Sequence, residues 1–581
     1  MSNQALPGGL CSRCILPLMA ISDPPPTTAE PSASETHTVF NQPPPLEDYN
    51  VFASDQALVE ALRREGAGWA EDRARAFGEI AGRAETIAWG FQANENRPVL
   101  CTHDRGGHRI DEVEFHPSWH SLMRLGVEHG LHALPWRETR AGAHVARAAL
   151  FATLAQVEAG VGCPLSMTYS VVPALQAEPA VAAEWVPRVT SLSYDPRLIP
   201  SGEKAGAICG MAMTEKQGGS DVRANTTRAV PSGQEGEYEI TGHKWFCSAP
   251  MSDAFLVLAQ APAGLTCFLL PRFMPDGTRN RFHIQRLKDK LGNRSNASSE
   301  VEFHAAWARR IGEEGRGVPM ILEMVIHTRL DCVIGSTALL RQGTAQALWH
   351  AHHRQTFGRR LSDHALMRNV LADLAIESEA ATVSMMRLAR AFDEVDSGDA
   401  AALPFKRLAT AVLKYWICKR APVHAAEALE CLGGNGYVEE WPLARLYREA
   451  PLNSIWEGSG NIQCLDVLRA LQKAPESLAA LFGEIAATRG ADHRLDLFAA
   501  ALREDLARLD PAEAETRARH LVERLALALQ GSLLVRHAPP AVADAFCATR
   551  LAGEGGRAFG TLPPGTDVGV ILDRAAPQGC R

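Results

Sequence analysis

At 581 residues, with 59 basic and 67 acidic side chains and a formal charge of −8, the chain is mildly acidic and has room for three or four domains of roughly 150 residues. No apolar run approaches the roughly 20 residues that a membrane-spanning helix requires, so no membrane is expected among its partners. Thirteen scattered cysteines, an odd number, argue against a disulfide scaffold and for reduced thiols in a cytoplasm.

Residues 1–35 carry Cys11 and Cys14, a short apolar stretch at 15–21 and Pro24-Pro25-Pro26. A zinc ribbon needs a second cysteine pair, and a signal peptide needs a longer apolar core behind a more basic start. The expectation is a disordered extension, or a start codon placed too early. Over 36–206, Ala-rich stretches read as amphipathic at 57–69 and 143–159 are broken by Pro and Gly, which predicts a mostly helical domain. Over 207–310 the texture changes to short apolar runs at 238–240, 254–260 and 265–270, separated by Gly, Pro and Asp. Those are strand-and-turn signals, and they predict a small β domain inserted between helical ones.

After Gly317 the helical period returns. Ile321, Met324, Val325, Cys332, Gly335 and Leu339 fall on one face of a first helix. A second, from near Ser362, carries Leu366, Val370, Leu374, Ala381, Met385, Leu388 and Phe392 along a stripe, and a third runs from Pro404 to Gly433-Gly434, whose glycines would stop it. With a short helix after Gly460 these predict a four-helix bundle over 311–472. Residues 473–581 read as helical again, with helices at 495–509 and 514–534.

Two segments carry chemistry. In Ile455-Trp456-Glu457-Gly458-Ser459-Gly460-Asn461 a carboxylate stands among bulky apolar side chains at a glycine-rich turn that opens a helix. Poor solvation raises such a pKa toward neutrality, which suits a base for a weakly acidic proton, and the glycines admit a planar ligand close to the backbone. A Glu at a helix start equally suits a capping group, and this segment alone leaves both readings open. Far upstream, residues 211–222 form a donor-rich loop. Thr214 and Ser220 offer hydroxyls, Gly218-Gly219 exposes N–H groups, and Met211 and Met213 add soft apolar surface. That mixture fits a flavin ring or the phosphates of a carrier, while Gly-Gly-Ser also marks ordinary turns. Neither G-x-G-x-x-G after a strand nor a phosphate loop of the G-x-x-x-x-G-K-[ST] type is present. His350, His352 and His353 have no acidic or cysteine partner nearby in sequence, so a surface or interface role is expected and no metal site.

Thr214-Glu215, Gly219-Ser220-Asp221, Arg354-Gln355-Thr356-Phe357-Gly358, Leu432-Gly433-Gly434-Asn435-Gly436-Tyr437 and Trp456-Glu457-Gly458 follow one another in the order of the acyl-CoA dehydrogenases, which the chain resembles. Residues 36–43 (THTVFNQP), 213–222, 287–297 (LKDKLGNRSNA) and 453–462 resemble the AidB-type, alkylation-response branch, and the likeness runs from residue 36 to the C-terminus. The resemblance implies a mainly α fold with an inserted β domain. Its parts would be an N-terminal helical domain (36–206), a central β-barrel (207–310), a bundle bearing the catalytic Glu (311–472) and an extra C-terminal helical domain (473–581). It also implies an FAD cofactor, an acyl-CoA substrate, and Glu457 as the base that takes the proton beside the thioester carbonyl while the neighbouring carbon gives a hydride to the flavin.

Further roles follow from the same resemblance. Met211, Met213, Thr214 and Gly219 would border the flavin, with Thr214 and Ser220 also reaching substrate. Phe246 and Ser248 stand where many relatives place Trp and Thr, with Cys247 between them. Ile455, Trp456, Gly458 and Asn461 would close the other side. Arg354, Phe357, Gly433 and Gly434 match positions that reach the cofactor of a neighbouring subunit, implying a homotetramer built as a dimer of dimers. An interface salt bridge is the alternative for Arg354. Glu430 replaces a common Gln, and a carboxylate there would repel a diphosphate. Arg329 stands either near base and substrate or in the bundle's structure.

In the AidB branch the extra domain is associated with double-stranded DNA. Here it holds 13 basic and 14 acidic side chains, a balance of −1 that predicts no basic footprint. DNA contact would need Arg494, Arg503, Arg517, Arg519, Arg524 and Arg536 to gather on one face; the alternative is pairing with neighbouring acids. The expected function is an AidB-type FAD protein that associates with double-stranded DNA in the alkylation-damage response and weakly dehydrogenates a short or branched acyl-CoA. The alternative is a fully active metabolic dehydrogenase that passes electrons to an electron-transfer flavoprotein and has no DNA role.

Overall fold

The computed structural model describes residues 36–580; the expectations for 1–35, including Cys11 and Cys14, lie outside them. The N-terminal region is built from helices Gln56–Leu62, Glu71–Ala81, Ala84–Glu95, Pro117–Glu128, Ala143–Ala155, Gly162–Gln176 and Pro179–Val189. Two sequence expectations change here. The stretch at 57–69 is not one helix, because Gly66 at φ 94° breaks it into a wide turn after Leu62. The stretch at 143–159 is not amphipathic: every residue of Ala143–Ala155 is buried, since bundle helices cover it. An unexpected hairpin also interrupts the helices, with β1 (Val99–His103) paired antiparallel to β2 (Arg109–Glu114). Its loop is closed by Asp104, whose Oδ1 accepts from the N–H groups of Gly106 and His108, with Gly107 at φ 86°.

The inserted domain contains β3 (Cys209–Ala212), β4 (Arg228–Pro231), β5 (Glu237–Ser248), β6 (Ala254–Ala261), β7 (Gly264–Pro271), β8 (Phe282–Leu287) and β9 (Ser298–Ile311). Strands run in the order β6-β4-β5-β9-β7, and β7 pairs back with β6, so the sheet closes into a barrel. Phe255, Phe268, Phe282 and Phe303 fill its interior. Glu215 and Lys244 meet at 2.9 Å in the same region with both side chains fully buried. Glu215 also accepts from Thr226 and Thr227, so this ion pair carries the extra hydrogen bonds that a buried pair requires, and it anchors the donor-rich loop.

The bundle consists of Gly317–His353, Ala365–Asp396, Leu403–Glu430 and Gly460–Lys473. Its first helix has no single apolar face. From His327 to Leu348 almost every residue is buried, because the barrel, the N-terminal helices and the rest of the bundle enclose it. In the second helix Leu374, Ala381, Met385, Leu388 and Phe392 are core residues as expected, but Leu366 in the first turn is 86% exposed. Helices Pro475–Ala486, His493–Ala507, Ala514–His537, Pro540–Phe546 and Val568–Ala575 follow. Leu521, Leu525, Leu529 and Leu533 of the Ala514–His537 helix join the same continuous core as the bundle and the N-terminal helices. The chain end then returns to its beginning: Arg574 bonds Glu60 and Glu379, and Arg341 donates to the carbonyls of Ala575 and Ser54.

Candidate active site

Glu457 lies in the turn between the short segment Leu452–Ser454 and the helix Gly460–Lys473. Its φ is 58°, and Gly458 follows at 96°. A Cβ at Gly458 would come within 2.6 Å of Gln463 Nε2, so only glycine fits. Left-handed backbone at a glutamate costs on the order of 1–3 kcal/mol unless its surroundings enforce it. They do so through three consecutive carbonyls. Lys414, 1% exposed on the third bundle helix, donates to the carbonyls of Trp456, at 2.8 Å, and of Gly458. Arg329 Nε donates to the Glu457 carbonyl at 3.0 Å, and Gln463 Nε2 donates to those of Glu457 and Gly458.

The Glu457 carboxyl caps no helix. It accepts from Thr328 Oγ1 at 2.6 Å, across from the first bundle helix, while the N-cap of the following helix is Ser459. Burial pushes the carboxyl above its ordinary range; the Thr328 hydroxyl and the cations of Lys414 and Arg329 hold it back. Arg329 is committed to the backbone of the turn and to Asp466, which it meets at 2.8 Å and which Arg407 also grips at 2.6 Å. Through these bonds it supports the turn.

The donor-rich loop and this turn share one apolar cluster. Met211 belongs to it together with Met167, Val171, Met324 and Val325, and Met213 and Trp456 both pack against it. Thr214 Oγ1 would lie only 2.5 Å from a Cβ at Gly219, so the loop is drawn tight about the threonine, while Ser220 is exposed. At the end of β5 the pairing with β9 shifts between Lys244 and Cys247, a bulge that keeps both residues buried. Cys247 is 0% exposed in the barrel core. Phe246 is 48% exposed and, with Trp245, flanks Lys288, whose Nζ lies 3.4 Å from the Trp245 ring centre and 4.7 Å from that of Phe246. Ser248 Oγ reaches Ser298 Oγ at 3.4 Å, and Lys290 Nζ donates to Ser298 and to the Asn296 carbonyl. The Asn296 side-chain amide, 1% exposed, has neither its N–H nor its oxygen partnered.

The remaining candidates lie elsewhere. Arg354, Phe357, Gly433 and Gly434 gather at the far end of the bundle, where His350 and Trp441 approach with ring centres 6.0 Å apart. Thr328 and His353 share one helix and are separated by roughly 38 Å at 1.5 Å per residue. Arg354 Nη1 donates to the Asn41 carbonyl at 2.6 Å, not to an acid, and Phe357 is 82% exposed at φ 51°. Nothing lies within 4 Å of a Cβ built at Gly433 or Gly434. Exposed Asn461 takes a hydrogen bond from Arg519 at 2.9 Å, and Ile455 is 63% exposed.

Of the six C-terminal arginines, four pair with acids. Arg494 holds Asp492 and Asp544, Arg517 and Arg524 share Asp505, and Arg536 holds Glu484. Arg503 stacks on Phe482 and Arg519 reaches Asn461. This is the pairing alternative, and the six do not form a free basic face. Among the described residues no three metal-binding side chains converge.

Sequence reasoning missed Thr328, Lys414, Asp466 and Asn296. Lys414 left a signal, a lone cation in the apolar run 411–417. Asn296 lies inside a segment singled out for its resemblance, but its open amide shows only in three dimensions.

Comparison with known proteins agrees with this architecture. Residues 41–196 match the adaptive response protein AidB N-terminal domain, 210–306 the acyl-CoA dehydrogenase middle domain and 315–472 the acyl-CoA dehydrogenase C-terminal domain. The chain is 48% identical to the putative acyl-CoA dehydrogenase AidB of Escherichia coli over 90% of its own length and 96% of the relative's. It is 30% identical to acyl-CoA dehydrogenase family member 11 of Caenorhabditis elegans over 84% of each chain. The solved structure of Caenorhabditis elegans ACDH-11 in complex with C11-CoA superposes with a TM-score of 0.80 at 26% identity, covering 94% of this chain and 95% of that one. With the match running from the first described helices through the C-terminal ones, the chain belongs to the acyl-CoA dehydrogenase family, in its AidB branch.

Proposed function

We propose that this protein is an FAD-dependent dehydrogenase acting between Cα and Cβ of an acyl-CoA thioester, with Glu457 as the base. One observation carries the reading: the Glu457 carboxyl, held by Thr328 in a turn whose three carbonyls are pinned, follows Trp456, which packs on the same apolar cluster as Met213 of the donor-rich loop. The residues fit the cofactor. The open Asn296 amide offers a buried donor and acceptor suited to the alternating carbonyl and N–H edge of a flavin, and Thr214 and Ser248 supply hydroxyls. When bound, FAD supplies the hydride acceptor. The chain's part is to hold the Cα proton beside the Glu457 carboxylate, accept it there, and keep water out with Trp456, Met324 and Met167. A weak activity on a short or branched acyl-CoA rests on the AidB likeness.

The exposed end of the bundle supports a homotetramer in which Arg354, Phe357, Gly433 and Gly434 serve a neighbouring subunit's cofactor. Eleven free cysteines among the described residues suit a reducing compartment such as the cytoplasm. Association with double-stranded DNA in an alkylation response rests on the AidB likeness. The C-terminal arginines give it no separate support, because phosphate contact would have to displace their present partners.

Anaerobic titration of the yellow protein with a panel of acyl-CoA thioesters, including a C11 chain, tests the dehydrogenase reading. Flavin bleaching by at least one thioester, abolished in Glu457→Gln with the flavin retained, is expected. Unchanged bleaching in that variant would remove Glu457 as the base. A gel-shift titration against salt tests the DNA reading, since a slope reports phosphate contacts.

A further inference from the structure

A second polar centre lies outside the active site, where the β1–β2 hairpin meets the rim of the barrel. A cavity of about 130 Å³ there is lined by Arg109, Asp111, Arg272, Arg279, Arg281 and His283, among others. Its charges do not balance. Arg109 pairs with Asp111 at 2.7 Å and Arg279 with Glu112 at 2.9 Å. Arg272, 5% exposed, makes its hydrogen bonds to carbonyl oxygens, those of Pro250 and Asp111, and lies over the Phe282 ring at 4.8 Å. The next acid, Asp253, is held by Lys204 at 2.7 Å. Arg281 is exposed at the rim and pairs with no carboxylate among the described residues.

Four guanidinium groups therefore surround a small cavity with two carboxylates between them, and the buried Arg272 shares the charges of Asp111 and Asp253 with Arg109 and Lys204. A buried cation that has to share its counter-charge is costlier than a solvated one. Planar guanidinium groups suit tetrahedral oxyanions because each presents paired N–H donors. The cavity is large enough for one such group. The simplest alternative is that Arg109, Arg272 and Arg279 only clamp the hairpin to the barrel, since each donates to a backbone carbonyl across or along that seam. That role leaves Arg281 unused and the excess positive charge unexplained.

We propose that this cavity binds one phosphate group, either as free orthophosphate or as the terminal group of a phosphate monoester, and that the bound anion fastens the hairpin to the barrel. Arg281 closes over the anion from the rim and Arg272 meets it from the buried side.

The flavin-loaded full-length protein would be titrated with orthophosphate, adenosine monophosphate and chloride at matched ionic strength, following thermal unfolding and calorimetric heat. Saturable stabilisation by phosphate but not chloride is expected. Arg281→Ala should weaken it about tenfold, the loss of one charge-assisted hydrogen bond, and Arg281→Glu should abolish it, with flavin content unchanged in both. Equal affinity for orthophosphate and the monoester would identify the free anion as sufficient, and tighter monoester binding would identify a larger ligand. No phosphate-specific stabilisation, or the same stabilisation in Arg281→Glu, would overturn the proposal. Arg281 is exposed, so these variants leave the fold intact.

Discussion

The Glu457 turn and the far end of the bundle are both glycine-marked breaks beside the same long helix, yet they are finished in opposite ways. Around Glu457 every backbone carbonyl has a donor from a bundle helix, Lys414 is buried, and the strained φ is held from several directions. Around Phe357 and Gly433 the side chains are bare, and Arg354 holds only the carbonyl of Asn41. The chain itself supports the strained backbone at Glu457. At Phe357 the strained φ stands in solvent, which is the arrangement the proposed neighbouring subunit would cover.

The largest effect that would test this contrast is at the base. Glu457→Gln should lower the rate of flavin reduction by about 10²–10⁴, the usual contribution of a positioned base, with FAD affinity unchanged. Lys414→Met comes next. Removing its Nζ leaves the Trp456 carbonyl unpartnered and the Gly458 carbonyl with Gln463 alone, a loss on the order of 1–3 kcal/mol seen as a lower denaturation midpoint. It also removes a cation that holds the Glu457 carboxyl down. The base must be ionised, so the rise of the reduction rate with pH should move to higher pH, whereas Lys414→Arg should restore much of it. An unchanged pH profile in the Met variant would reduce Lys414 to a packing role.

Arg354→Ala should leave the Glu457 turn intact while weakening flavin retention. Mixing it with Glu457→Gln should then recover activity, because hybrid assemblies combine one chain's base with the other chain's bundle end. Failure of two stable, co-assembled variants to complement would place Arg354 outside the neighbour's site.

A smaller effect concerns Glu449, which accepts from the Asn293 N–H on both oxygens. Burial and nearby Glu158 push its pKa up to about 7. A carboxyl raised in the folded state contributes stability at low pH and loses it as pH rises from the ordinary carboxylate range through 7. Stability should fall across that window, and Glu449→Gln should flatten the fall. The least change is expected of Arg519→Ala, which breaks one exposed hydrogen bond to Asn461. If DNA retention runs through this helix, the salt slope should drop by about one.

The order of helical, strand-rich and helical segments was legible because hydrophobic period depends only on neighbours in the chain. Thus the runs at 254–260 and 265–270 became β6 and β7. Glu457 was legible for the same reason, since its apolar flanks and its glycines are local. The hairpin at 99–114 was not, being a short strand pair stabilised chiefly by arginines from the barrel 160 or more residues away, such as Arg272 and Arg279. Nor was the exposure of Leu366 decidable, because an apolar residue in a helix carries no label for whether a neighbour will cover it.

By itself, the sequence determined the secondary-structure texture and singled out Glu457 and its glycine-rich turn as a candidate, both of which follow from side-chain chemistry within a few residues. Only the tertiary structure decided that Glu457 rests on Thr328 instead of capping a helix, that Lys414 and Arg329 grip the turn, and that four of the C-terminal arginines are already paired. Those outcomes depend on which distant groups the packing brings within hydrogen-bond reach, and such distances are set by the fold as a whole.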